Sequence, residues 1–300
     1  MNDHQKFLSS WVPALTIFAV LFSGSSPGLA VPLLGSELAS FAVLGSSTVT
    51  NTGPTALTGN LGVSPGSAIT GFFGTVENDG PGTFTGTSHQ GNAFANTAQV
   101  QLTAARTSLG LMGTGTLLAS DLTLAGTLFP GVYSFAGGAA TLSGAVTLDG
   151  QGNANAAWVF QIASTLITSS GSAVNVINTG SGAGLYWNVG SSATLDTTTS
   201  FQGNILALTS ISLLNGATIG CGRALADDAA VTMIANTIGI GCDSNGFSGG
   251  LTVDESGLPT ALAFAAAVPL PGTLPLFAAG LGMLGLLGWR RNRNASKSVA

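Results

Sequence analysis

Short β-branched and apolar runs alternate along the middle of the chain with clusters of Gly, Asn and Ser. That rhythm predicts many short strands joined by tight turns. One stretch departs from it. Phe94, Ala98, Leu102, Ala105 and Leu109 recur every three or four residues, which places them on one face of a helix over 89–109. Ser88 is positioned as its N-cap and Gly110 as its stop. In the C-terminal half, Val174, Phe201, Ile219 and Ile238 each follow a small or polar residue, in steps of 27, 18 and 19. The long step reads as one rung plus a loop insertion around 180–184. A period near 20 with three short strands per turn predicts a β-helix, with inward apolar ladders and outward files of Thr, Ser and Asn. A β-sandwich is the alternative, but its independent strands would not keep these rungs in phase.

Composition narrows the chemistry. Of 300 residues only 6 % are charged, against about a quarter in ordinary soluble domains, and the net charge is −5. Between Val31 and Val268 the only basic residues are Arg106 and Arg223, too few to neutralise phosphates, so nucleic acid is excluded as a partner. His89 is the one histidine there, which leaves no material for a His-based triad or a multi-histidine metal site. Gly62–Gly66 spells G-x-S-x-G, but Pro65 lacks the N–H that such an elbow needs after its serine. Asp227 and Asp228 are adjacent and would point to opposite faces of a strand. No enzyme and no cofactor or metal is expected. Cys221 and Cys242 stand 21 residues apart, about one rung, so stacking would bring them within disulfide range. The alternative is two free buried thiols.

Both ends carry addresses. Lys6, the apolar run 11–22 and the small residues ending at Ala30 form a signal-peptide pattern over 1–30, too short an apolar run to span a bilayer. At the other end, 269–300 holds Pro269 and Pro271, then an apolar stretch 274–289, then Arg290, Arg291 and Arg293. This reads as a transmembrane helix with a positive stop. The order of parts resembles a PEP-CTERM sorting signal of the VPLPA type, with Leu270 where Glu is usual and Gly272 in place of Ala. That resemblance implies a membrane-held intermediate, a sorting protease, and delivery to the surface or matrix of a Gram-negative bacterium. A plain C-terminal anchor is the bland reading.

Between these addresses, segments 34–55 and 58–66, Pro130–Phe135, Trp158–Ile162, 203–211 and 222–226 follow in order along nearly the whole domain, and together they resemble the DUF3494-type ice-binding protein family. It implies a discontinuous right-handed β-helix of triangular section over 31–268, the helix packed alongside, and ice as the ligand. A structural or adhesive matrix protein that binds polysaccharide is the rival function. A monomer is expected.

Ice offers a regular lattice and no charge to pair with. Thr suits it: a stiff side chain whose hydroxyl bonds an ordered water while its methyl excludes disordered ones. Two outward files compete. One holds Thr165, Ile167, Thr194, Asp196, Ser210, Ser212, Ala230 and Thr232; the other holds Ser170, Ser172, Thr197, Thr199, Ser200, Asn215, Thr218, Asn236 and Thr237. The family's Thr-Gly/Ala-x-Thr/Asn pattern, which the resemblance implies, matches 215–218, 197–200 and 55–58 approximately. Because an outward Asp196 would hold liquid-like water, the second file is the expected ice-binding site.

Overall fold

In the computed structural model, which describes residues 31–242 and 245–262, the short runs become parallel strands stacked into a three-sided solenoid. One rung shows how. The chain passes along Ala157–Ile162, turns into Leu166–Thr168 and turns again into Ala173–Ile177. It then starts the next rung at Gly184–Val189, directly beside Ala157–Ile162. Parallel pairing sets like beside like: Trp158 lies next to Leu185, Phe160 next to Trp187 and Ile162 next to Val189. The rings of Phe160 and Trp187 stack with centroids 4.1 Å apart.

Repeated along the stack, these turns give three faces. The first runs from Thr116–Leu118 through Gly131–Phe135, Ala157–Ile162 and Gly184–Val189 to Ser88–Gln90 at the other end. The second is a seven-stranded sheet from Ala140–Leu142 to Ala68–Thr70. The third runs from Thr127–Leu128 to Thr83–Phe84. Strands Ser200–Ala207 and Thr218–Ala226 bend around one corner and belong to both the third face and the first. Val174, Phe201, Ile219 and Ile238 do form one inward ladder, and Leu57 extends it.

Order in space departs from order in sequence. Phe41–Gly45 pairs with Thr218–Ala226, Thr48–Thr52 with Val231–Ile234, and Ala56–Thr58 with Thr237–Gly239. The first rung of the chain therefore sits on the last. After the second rung the helix Ala93–Gly110 carries the chain back along the first face, past Ser64, Ala226 and Asn188 to Gln161. The climb then begins at Thr116–Leu118. This helix starts later than the sequence pattern indicates. Ser88–Gln90 pairs with Leu61–Val63 as a strand, Gly91 turns with φ of 61°, and Asn92 caps by accepting from Ala95 N at 3.0 Å. A strand partner outcompetes an isolated first turn, which fixes several residues for one hydrogen bond. Gly110 is the last helical residue rather than the stop beyond it.

Ala98, Leu102, Ala105 and Leu109 pack on Val159, Tyr186, Leu206 and Leu225 of the first face, and on Leu34, Leu38 and Leu251. A small antiparallel sheet of Val31–Pro32, Leu251–Val253 and Pro259–Ala261 lies against the same helix. The expected signal segment 1–30 lies outside the described residues. So do the tail 269–300, its apolar run 274–289, and Pro269, Pro271, Arg290, Arg291 and Arg293. Among the described residues no helix is long and apolar enough to cross a membrane.

Arg223 ties the closure together. Its guanidinium is buried and donates to Ala39 O, Asn204 Oδ1, Asn245 O and Gly246 O, so it links the first rung to the last and to the loop beyond it. Burial lowers its pKa to about 10, which leaves it a cation at neutral pH. Replacing it orphans several buried carbonyls at once. Arg223→Ala should therefore lower unfolding free energy by about 3 kcal/mol or more, read as a drop in melting temperature by circular dichroism. Arg223→Lys should recover only part, because an ammonium cannot reach every acceptor of the fork.

Candidate functional site

The second face is built from one rule applied seven times. Each of its strands turns alternate residues inward, and those inward positions (Ala140, Leu166, Ala193, Ile211, Val231, Val49 and Ile69) are all buried. The next residue of each strand must then point outward. Those residues fall into one register file: Thr141, Ile167, Thr194, Ser212, Thr232, Thr50 and Thr70. Six carry a hydroxyl, and the seventh, Ile167, is half-exposed. Two residues earlier a parallel file holds Thr165, Ser192, Ser210, Ala230 and Thr48. No register shift interrupts this sheet from one end to the other. Strand spacing of about 4.8 Å and an alternate-residue repeat of about 6.7 Å then define a two-dimensional grid. Thr50 and Thr70 enter it only because the first rungs of the chain dock on the last.

Side chains on this surface are held in place. Thr232 Oγ1 donates to Ser212 Oγ at 3.1 Å, and Ser192 Oγ lies 2.9 Å from Ser210 Oγ. Asp196 sits at the margin, not in the file. Its carboxylate accepts from Thr197 N at 2.6 Å and Thr197 Oγ1 at 3.1 Å, which turns it back toward the corner. The objection that an outward Asp196 spoils this surface therefore loses its force.

The nine residues expected to form the site divide three ways. Ser200, Thr218 and Thr237 share an outward file of the third face with Ala173 and Ala56. Ser170, Thr197 and Asn215 lie in the turns between the second and third faces. Ser172, Thr199 and Asn236 are buried, and here the sequence reading is corrected. Thr199 Oγ1 lies 2.8 Å from Thr168 Oγ1 and 3.4 Å from Ser172 Oγ, and it donates to Ser169 O. Asn236 donates to Leu214 O and Ala217 O and accepts from Ile234 N. At each corner the backbone leaves one ladder before joining the next, which strands carbonyls and amides indoors. Small hydroxyl and amide side chains satisfy them, since an unpaired buried polar group is costly. Thr and Ser at such corners are indistinguishable by residue type from Thr and Ser facing solvent.

The third face is not level. Pairing shifts between Phe201 and Gln202, and Thr218–Ala226 opposes it with an extra residue. Beyond that shift a cleft of about 630 Å³ opens between Asn175, Ile177, Ser200 and Gln202, with the Cys221–Cys242 disulfide in its wall. The two Cα atoms of that bond are 5.7 Å apart, one on each of two neighbouring levels. The first face is covered by the helix. Its Asp227 pairs with Arg106 at 2.8 Å, which uses up both. Among the described residues no three of His, Cys, Asp and Glu gather as a metal site.

The buried corner and the open file should respond differently to the loss of a hydroxyl. Thr199→Val should destabilise the fold by about 1–3 kcal/mol, whereas Thr218→Val should change it by no more than about 0.5 kcal/mol. Denaturant melts of the two variants read this out directly.

Residues 43–239 match the family model described as Ice-binding-like, and 267–293 match the PEP-CTERM protein-sorting motif. The chain is 45 % identical over 222 residues to an ice-binding protein of Nostoc sp. (strain HG1), covering 74 % of this chain and 78 % of that protein. Its fold is similar to the crystal structure of an ice-binding protein from the Antarctic ascomycete Antarctomyces psychrotrophicus. That match has TM-score 0.60 and 33 % identity, covering 70 % of this chain and 97 % of that one. An ice-binding protein from an Antarctic biological consortium matches with TM-score 0.60 and 36 % identity, over 72 % and 93 % of the two chains.

Proposed function

The chain belongs to the Ice-binding-like family, and from that premise we propose that it adsorbs to ice through the second face of its solenoid. The unbroken register of that face carries the proposal. Ice can be matched only by a surface that repeats in two dimensions without drift, and Thr141 through Thr70 supply such a repeat while the shifted, clefted third face does not. The hydroxyls order a first layer of water on the grid and the methyl groups, with Ile167, keep disordered water out. No Lys, Arg, His or Glu stands on this file, and Asp121, bridged to Thr141 at its end, has its carboxylate taken up by Thr123 N, Ser143 N and Ser143 Oγ. Adsorbed molecules pin the advancing front, and the curved ice between them melts at a lower temperature.

The expected polysaccharide-binding matrix role has less support. Of the exposed aromatic rings that would serve as stacking platforms, Phe94 is on the helix, Phe129 lies before the first-face strand Gly131–Phe135, and Phe73 follows the edge strand Ala68–Thr70, so none stands in the Thr file. The sorting motif marks the chain as an exported, cell-surface protein. A membrane-held intermediate and a sorting protease that acts near Pro269 and Pro271 of a Gram-negative cell are the finer form of this proposal.

Bulk in the file should spoil the plane without touching the core. Thr232→Tyr and Thr50→Tyr should each weaken ice adsorption by about tenfold or more, about 1.4 kcal/mol, with unchanged melting. Thr218→Tyr on the third face should keep full activity. Thermal hysteresis and recrystallisation inhibition measure both, and the opposite ranking assigns ice to the third face. Since the titratable group in register with the file, Asp121, is a carboxylate, activity should stay level from about pH 5 to pH 9, where only His, Cys and amino termini normally change charge.

A further inference from the structure

We propose that the Cys221–Cys242 disulfide is a load stop, which keeps the ice-facing file whole when the ice-bound body is pulled through its C-terminal end. The proposal rests on ice binding at the second face and adds two observations to it. The first is where the body ends. Leu262 N donates to Gly250 O at 2.9 Å. Gly250 is wedged against the starts of two first-face strands: a Cβ on it would come within 2.8 Å of Ala157 Cβ and 3.0 Å of Gly184 N. Those strand starts form the corner between the third and first faces. In a three-sided section that corner lies opposite the second face. A tether leaving there pulls straight away from the ice plane and leaves the Thr file uncovered.

The second observation is the disulfide. A pull at Leu262 first opens the three-residue pairing of Pro259–Ala261 with Leu251–Val253, then strips the chain back toward Cys242. There it meets a covalent stop. The Cys221–Cys242 bond hands the load to Thr218–Ala226, a nine-residue strand in mid-stack paired with Ser200–Ala207 on one side and with Thr237–Gly239 and Phe41–Gly45 on the other. The rung between the two cysteines is bypassed. That rung carries Thr232, which sits between Ser212 and Thr50 in the ice-facing file. Without the bond, peeling would continue through Thr237–Gly239 and Val231–Ile234 and cut the file in two.

The test uses the full chain with a biotin-acceptor peptide added after Ala300, held on streptavidin beads. Beads should stay on a growing ice face under flow. When a bead is pulled by optical tweezers until the tail 263–300 is taut, the next lengthening should be about 70 Å, the extended length of the roughly 20 residues from Cys242 to Leu262. With a reducing agent, or in Cys221→Ser/Cys242→Ser, it should reach at least about twice that, and retention should fall by about tenfold. Recrystallisation inhibition by the same chains free in solution should change by less than about twofold, since no load acts there. Beads that fail to hold ice although the free chain is active overturn the tether alone. Equal lengthening with and without the bond overturns the stop. A free chain with no effect on ice overturns the tether together with the face it relies on.

Discussion

Parallel, in-register stacking of the inward ladder governs everything this molecule presents to its surroundings. Trp158 over Leu185, Phe160 over Trp187 and Ala193 over Ile211 fix the pitch, and the outward residues inherit it. A one-residue slip would turn each outward file indoors and bring apolar side chains out. The core is therefore also the instrument that spaces the surface hydroxyls. Where that stacking is perfect, on the second face, the outside is a lattice. Where it slips, at Phe201 and Gln202, the outside becomes a cleft.

The discontinuity of the chain follows from the same constraint. A solenoid that simply climbed from end to end would leave its last rung, near Thr237–Gly239, with an open edge. Here the N-terminal rung occupies that edge and extends the lattice by Thr50 and Thr70. The helix does two jobs in consequence. It returns the chain to the start of the stack and it roofs the first face, where Val159, Tyr186, Leu206 and Leu225 would otherwise be bare. Arg223 and the hydroxyl and amide side chains at the corners satisfy the backbone groups that such turning leaves behind.

Scarcity of charge has a structural as well as a functional side. Both basic residues of the body are engaged, Arg223 inside and Arg106 with Asp227 beside the helix, so no cation is left for the outer sheets. Apart from Asp121 at the end of the second face and Asp196 at its margin, both held by hydrogen bonds, what remains there is uncharged and short. Such a surface is indifferent to most solutes and suits a ligand that is itself only ordered water.

Much of this was fixed by sequence alone. The spacing of Val174, Phe201, Ile219 and Ile238 disclosed the rung, the interval from Cys221 to Cys242 disclosed its height, and Phe94 to Leu109 disclosed the helix, because each is a periodicity carried by neighbours in the chain. Only the tertiary structure decided which hydroxyls face out. Ser172 and Thr199 turn inward while Thr194 and Ser212 turn outward, though all four are small hydroxyl residues. The direction of a side chain at a corner depends on which ladder its backbone has left and which it is about to join, and that is set by partners a rung or more away. The docking of Thr48–Thr52 on Val231–Ile234 is the extreme case. Nothing local in either segment specifies the other; the two meet because both ends of the stack would otherwise expose unpaired backbone and apolar edge.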